Sequence, residues 1–574
     1  MSDTAPPKGR KTAAFRPRKP AKPAAEVSAA SPVAAPVPAP VPSAPPAAAA
    51  PAQTTPAQVT LDQVTSVQMP PAPVAAEPVV PRVIRPAPSG PRPLQVLAVA
   101  SEVFPLIKTG GLADVVGGLP PALAHHGVEV RTLVPGYPSV LRALEGTTVV
   151  AEYGYFFGAF CKLLAGRAAG LDLFVLEAPQ LFWREGNPYS APDGQPWPDN
   201  PVRFAALAHM GYLISRGDFG PYVPDVLHVH DWQAALAPAY LHYGGRTKPR
   251  SVLTIHNLAF QGQFSRDLLY AIGLPGHAYS MDGVEYYGGI GYLKAGIRFA
   301  DRVTTVSPRY AAEICQPGAG MGLDGTLRQK GLALSGIVNG IDVDTWNPAD
   351  DPALAASYTA DTLELRARNK AALEGRFNLE AGDGPLIGMI TRLSWQKGMD
   401  IVIETLPSII AAGCRVVVLG TGDAPLEAGL AKAAAAYPGK IGVFAGYDEN
   451  LAHLVQGGAD AILVPSRFEP CGLTQLYGLR YGCLPIVSRV GGLFDTVIDA
   501  NAAAREQGVA TGIQFEPVTR EALEAAIARF VALYADTSAW RAMQRQAMSL
   551  DLSWTRRAGA YAALFRSLVE VDSA

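Results

Sequence analysis

Leu94-Gln-Val-Leu-Ala-Val-Ala100 is followed by Lys108-Thr-Gly-Gly-Leu-Ala-Asp-Val115 and, beyond Gly127, by Val128-Glu-Val-Arg-Thr-Leu-Val134. The outer two segments are short apolar runs of the kind buried on both faces of a parallel sheet. The middle one turns on two glycines and opens a helical stretch that ends at Gly127. Strand, loop, helix and strand make a βαβ unit, and its pattern recurs. Further strands are expected at Asp225–His230, Ser251–His256 and, after a helix, Arg302–Val306.

A second series begins near Pro385. Strands are expected at Leu386–Ile390, Arg415–Leu419, Gly442–Ala445, Ala461–Val464 and Pro485–Val487, with helices over Gly398–Ala412 and Leu426–Tyr437. Two such series predict an α/β protein with two doubly wound, Rossmann-like domains facing across a cleft. Ligands in such sheets bind beyond the carboxyl ends of the strands. The boundaries expected are an extension over 1–92, domains over 93–335 and 336–552, and a terminal helix over 553–574. In that last segment Trp554, Ala558, Tyr561, Phe565 and Leu568 fall on one helical stripe. The stripe can cap its own domain or cross back to the first.

Residues 1–92 are dominated by Ala and Pro, a composition too poor in large apolar side chains to build a core, so disorder is expected. The first part is basic, with Lys8, Arg10, Lys11, Arg16, Arg18, Lys19 and Lys22. A solvated tail, a contact with an acidic partner and a plastid-type transit peptide all fit this pattern, and the sparse Ser favours the first. Across 574 residues the net charge is −2, which excludes a strongly basic nucleic-acid footprint for the whole molecule. No apolar run approaches the ~20 residues needed to cross a bilayer. Five scattered cysteines without a CxxC pair fit reduced thiols in a cytosol-like compartment. Nothing in the sequence speaks to oligomeric state.

Four stretches carry chemistry. At the first βα turn, Gly110 and Gly111 offer bare N–H groups at a helix start and Lys108 adds a positive charge, which suits phosphate. Many structural βα turns look the same. His228-Val-His230-Asp-Trp232 and Thr254-Ile-His-Asn257 both end strands of the first domain; a cleft role and a satisfied core histidine are equally open there. No third ligand is spaced for a metal. Arg392 and Lys397 frame the turn that opens the second domain, a fork and a point charge suited to a diphosphate. In Pro465-Ser-Arg-Phe-Glu469-Pro-Cys-Gly472-Leu473-Thr474, a carboxylate able to accept from sugar hydroxyls precedes a helix start suited to phosphate.

Together these motifs resemble the bacterial glycogen synthase and plant starch synthase family. The resemblance runs from about residue 94 to Trp554. It takes in the motif at Lys108, RxGNPY at Arg184, DNxxRF at Asp199, HDW at His230 and TIHNLAxQG at Thr254. LKAG at Leu293, TTVSP at Thr304 and NGID at Asn339 continue it. RLSxQKG at Arg392, SRFEPCGLTQLY at Ser466, GGLxDTV at Gly491 and SW at Ser553 complete it.

The resemblance implies a GT-B fold, with acceptor handled by the first domain and nucleotide sugar by the second, and retention of configuration without a metal or cofactor. The implied reaction moves glucose from ADP-glucose to the non-reducing 4-OH of an α-1,4-glucan in the cytoplasm, or in a plastid if the extension is a transit peptide. UDP-glucose as donor, another acceptor, or an inactive glucan-binding protein are the alternatives. The implied roles place His230 at the donor glucose, Glu469 at its 3- and 4-hydroxyls, and Arg392 and Lys397 at the departing diphosphate. Lys108 is expected at the donor's phosphates or the acceptor end, Gly110, Gly111, Gly472, Leu473 and Thr474 at the phosphates, Tyr447 on the base, and Asp114 and Asn257 at acceptor or sugar. The wider GT-B pattern has a second Glu eight residues after Glu469, where this chain has Tyr477. Asp342-Val-Asp344 spells a DxD but follows an NG turn, and is read as structural.

Overall fold

The computed structural model describes residues 92–245 and 249–570. Apart from Arg92, the extension expected over 1–92 lies outside the described residues.

The first sheet takes strands β1 (Leu94–Val99), β2 (Val128–Pro135), β3 (Glu145–Phe156), β4 (Ala159–Ala168), β5 (Leu171–Glu177), β6 (Val226–His230) and β7 (Arg250–Ile255). After a small three-stranded sheet, β8 (Gln263–Phe264), β9 (Glu285–Tyr286) and β10 (Gly289–Gly291), it adds β11 (Arg302–Thr305) and β12 (Leu334–Gly336). The order is β12-β11-β7-β6-β1-β2-β5-β4-β3. Strands β12 to β5 run parallel, and β4 and β3 extend the sheet as an antiparallel meander.

The second sheet holds β13 (Leu386–Ile390), β14 (Arg415–Gly420), β15 (Ile441–Ala445), β16 (Ala461–Val464), β17 (Leu484–Ser488) and β18 (Ile513–Phe515), in the order β15-β14-β13-β16-β17-β18. All its pairings are parallel. The continuous apolar runs of β1, β6, β14 and β16 are almost wholly buried, because helices cover both faces of each sheet. This is the doubly wound architecture expected from the alternation of strands and helices.

Six helices frame the site and join the sheets: α1 (Gly111–Ala124), α2 (Pro308–Glu313), α3 (Met399–Ala411), α4 (Thr474–Tyr481), α5 (Gly491–Thr496) and α6 (Trp554–Glu570). The stripe on α6 packs on the first sheet. Trp554, Tyr561, Phe565 and Leu568 join Val96, Val115, Leu119, Val226 and Val252 in one buried cluster. The chain therefore crosses between the sheets twice, and the two crossings run side by side. Ile341 N donates to Leu552 O at 2.9 Å, and Ile341 bridges Ser553 in parallel. Gly340 sits where a Cβ would come within 2.6 Å of the Trp554 backbone, so no larger residue fits between the strands of this double crossing.

Candidate active site

The first wall is built on the carboxyl ends of β1, β6 and β7. Glu102, just past β1, is buried and accepts from the Thr109 hydroxyl at 2.6 Å, from the Thr109 amide and from the Tyr189 hydroxyl. It thus ties down the loop that carries Lys108. Tyr189 also meets Ser101 Oγ at 2.8 Å. Lys108 Nζ bonds Asp114 Oδ1 at 2.8 Å across the first turn of α1. Burial raises the Asp114 carboxyl above its ordinary pKa, against the pull of Lys108.

His230 closes β6 and packs into a column of imidazoles. Its Nδ1 lies 3.0 Å from His256 Nε2, and its ring centroid is 4.1 Å from that of His228. His228 Nε2 meets Thr254 Oγ1 at 2.7 Å, and Thr254 passes on to Thr304 at 2.7 Å. Burial pushes His228 and His256 down to about 3 and His230 well below its usual value, so all three are neutral near pH 7. A neutral imidazole beside a reacting centre offers hydrogen bonds without adding a charge.

Asp231 follows in a left-handed backbone conformation (φ 53°), uncommon for a residue with a side chain. Its buried carboxylate does not cap its own helix. It accepts from His256 N at 2.7 Å and from the Asn257 amide, and so fixes the loop after β7. Burial raises it to about 7. Asn257 turns its own carbonyl back to Ala259 N at 3.0 Å.

The opposite wall is built on β13, β15 and β16. Lys397 Nζ lies 2.5 Å from Glu469 Oε2, and Ser466 Oγ donates to the same oxygen at 2.9 Å. Gly398 has φ 69°, and a Cβ there would stand 2.2 Å from Pro465 O. Only glycine lets the two loops meet at that height. Arg467 locks them further, with a two-pronged bond to Asp400 (2.7 Å each) and its guanidinium 4.4 Å from the Trp395 ring centroid. The Arg392 side chain is exposed and makes no hydrogen bond or ion pair among the described residues. It leaves β13 beside Thr474, whose hydroxyl reaches Ile390 O at 3.5 Å.

Gly472, with φ 73°, and Leu473 lead into α4. Gln475 pins this turn by donating to Cys471 O and Gly472 O at 2.9 Å each.

The two walls meet. A Cβ on Gly111 would lie 3.5 Å from Leu473 Cδ1, so the first turn of α1 faces the turn into α4. Tyr477 is raised far above its ordinary pKa, by burial and then by the charges of Asp114 and Glu449, groups of opposite walls. Tyr310 is likewise raised, chiefly by burial and further by the charges of Asp231 and Glu469 of the two walls, while its hydroxyl accepts from Leu258 N at 3.2 Å. Tyr447 is 61% exposed, with its hydroxyl donating to Glu449 at 2.7 Å.

Tyr477 stacks on Trp346 at 3.7 Å between centroids, and Trp346 stacks on His453 at 3.8 Å. The residue standing where the wider pattern has a carboxylate is thus held face to face with an aromatic column. Asp342 of the DxD spends its carboxylate on its own turn, accepting from Asp344 N and Thr345 N at 3.0 Å each.

Glu102, Asp231 as an organiser of the 256–257 loop, Tyr310 and Arg467 are additions to the residues singled out from sequence. Glu102 carried one signal, a carboxylate at the carboxyl end of an apolar strand. Arg467 carried none outside the motif that contains it, and Tyr310, two residues past the TTVSP motif, carried none.

Two doubly wound α/β sheets whose carboxyl-end loops face each other define the GT-B fold of glycosyltransferases. Residues 95–329 match the model of the starch synthase catalytic domain, and 374–547 that of glycosyl transferases group 1. Glycogen synthase from Rhodopseudomonas palustris strain BisB18 is 58% identical over 474 residues, 82% of this chain and 97% of that protein. Glycogen synthase 2 from Bradyrhizobium diazoefficiens is 55% identical over 479 residues, 83% and 99% of the two chains. Among solved structures, the catalytic domain of starch synthase IV from Arabidopsis thaliana, bound to ADP and acarbose, superposes with a TM-score of 0.75 at 32% identity. It covers 83% of this chain and 99% of its own. The chain belongs to the glycogen synthase and starch synthase family. No helix among the described residues is long and apolar enough to cross a membrane.

Proposed function

We propose that the chain transfers glucose from ADP-glucose to the non-reducing 4-OH of an α-1,4-glucan, with retention of configuration and release of ADP. The observation that carries this reading is the Lys397–Glu469 pair at 2.5 Å, set at the carboxyl ends of β13 and β16 beside Arg392, which is unpaired among the described residues. As the glycosyl–phosphate bond breaks, negative charge gathers on the diphosphate. Cations fixed in advance stabilise that charge without reorganising.

Lys108 and the amides at Gly110, Gly111 and Gly472 to Thr474 would serve the phosphates, and Glu469 the sugar hydroxyls. His230 would sit at the reacting glucose, and Tyr447 would stack on the base. Asp114 and Asn257 are assigned to acceptor or sugar. The acceptor hydroxyl bonds to the anomeric carbon on the face the diphosphate leaves, and its proton passes to a departing phosphate oxygen. Each bond broken is matched by one formed, and the configuration is kept.

The test is a panel of ADP-glucose and UDP-glucose with glycogen as acceptor, following release of nucleoside diphosphate with and without EDTA. Faster turnover with ADP-glucose and no effect of the chelator are expected. Preference for UDP-glucose would overturn the donor assignment. Loss of activity on chelation, restored by magnesium, would overturn the division of labour given to Arg392 and Lys397.

A further inference from the structure

Away from the reacting groups, the two walls are joined by a reciprocal pair of carboxylates. Glu313, at the end of α2 in the first wall, accepts from Gly491 N at 3.2 and 3.1 Å with its two oxygens. Asp495, on α5 in the second wall, accepts from Ser307 Oγ at 2.5 Å and from Arg309 N at 2.9 Å. Arg309 also donates to Glu313 at 2.8 Å and lies 5.1 Å from the Phe494 ring centroid. Each short helix therefore gives its carboxylate to the backbone of the other.

Both ends of this clasp lead to the reacting groups. On one side Gly492 N donates to Glu469 O at 3.0 Å, and a Cβ on Gly491 would stand 2.0 Å from the same carbonyl. The amide that Glu313 holds thus belongs to the turn on which the Glu469 backbone rests. On the other side Tyr310, inside α2, holds Leu258 N of the loop that presents His256 and Asn257.

We infer that Glu313 and Asp495 are positioning residues for glucosyl transfer: their clasp sets Glu469 against the His230–His256–Asn257 wall. The inference rests on the proposed transfer reaction. Neither carboxylate touches the expected substrate, so their effect is on geometry at the moment of transfer. Misplacement of reacting groups by about 1 Å costs up to about a hundredfold in rate.

The experiment uses the full chain with Glu313→Ala, Asp495→Ala, Glu313→Gln and Asp495→Asn. It measures kcat and KM for ADP-glucose with glycogen, Kd for ADP, and Tm. Each alanine variant is expected to lose about ten- to a hundredfold in kcat, with Kd for ADP unchanged and Tm well above the assay temperature. The amide variants keep an acceptor oxygen and should recover most of the rate. Wild-type kcat in both alanine variants would overturn the inference. So would losses that follow the fraction unfolded. A wild-type enzyme that releases no ADP from ADP-glucose with glycogen would instead overturn the proposed function, and the two failures are told apart by that control.

Discussion

Lys397 and Glu469 share one contact of 2.5 Å between Nζ and Oε2, so the cation assigned to phosphate and the carboxylate assigned to sugar hydroxyls form one unit. They lie 72 residues apart in sequence and meet because β13 and β16 are neighbours in the sheet.

Because the two groups act together, their removal is expected to be non-additive. Lys397→Ala and Glu469→Ala should each lower kcat by about 10² to 10³. The double variant should be little worse than the poorer single one. Steady-state rates for the three variants check this. Losses that multiply would mean that the side chains work independently.

The histidine column makes stability depend on pH. His228 and His256 are held near 3 by burial and His230 is lowered in the same way, against an ordinary value of 6.5. Folded chains therefore bind these protons less readily than unfolded ones. The stability they contribute is complete above about pH 6.5 and drains away as the pH falls toward 3. Asp231 works in the opposite sense. Raised from 3.8 to about 7, its contribution is present below 3.8 and is lost as the pH rises through 7. Three groups outweigh one, so Tm should fall on acidification from pH 6.5 to 5. His228→Gln should flatten that slope, since each titrating group is worth about 1.4 kcal/mol per pH unit. Parallel Tm curves for wild type and variant would refute the assignment.

Gly398→Ala meets two obstacles at once, a positive φ and the carbonyl of Pro465 at 2.2 Å. The backbone alone costs about 1–2 kcal/mol, and relief of the clash must move Lys397, the neighbouring residue. A fall in kcat larger than the fall in Tm explains is expected. A variant with wild-type rates would show that this close approach is dispensable.

Phe565→Ala is expected to destabilise by about 3–5 kcal/mol, as for other large-to-small changes in a packed core. Its ring is fully buried against the first sheet and lies 5.4 Å from His228. Urea unfolding followed by fluorescence would measure the loss. A shift below 1 kcal/mol would mean that α6 adds little to this core.

Most of the parallel strands, β5 and β12 apart, were legible because they are buried on both faces and therefore read as unbroken apolar runs. The meander β3–β5 was not. Most of β3 is exposed, and its pairing with β4 is broken by three register shifts, so no clean alternation survives. Three-residue β18 is too short to register as a run. At the site, residues at strand ends were legible from glycine and charge. Glu102 showed its charge at a strand end, but its bond to Tyr189, 87 residues away, is made only by folding. The Trp346–Tyr477 stack was hidden for the same reason. Sequence spacing places residues along one element; it does not say which elements will be neighbours.

The last helix of the chain completes the hydrophobic cluster of the first sheet. During synthesis that sheet emerges long before α6 does, and it waits with an uncovered apolar face while the whole second sheet is made. The N-terminal half cannot finish folding until α6 has been made and has left the ribosome. A cut at the double crossing would accordingly yield two fragments, one of them carrying a part that belongs to the other.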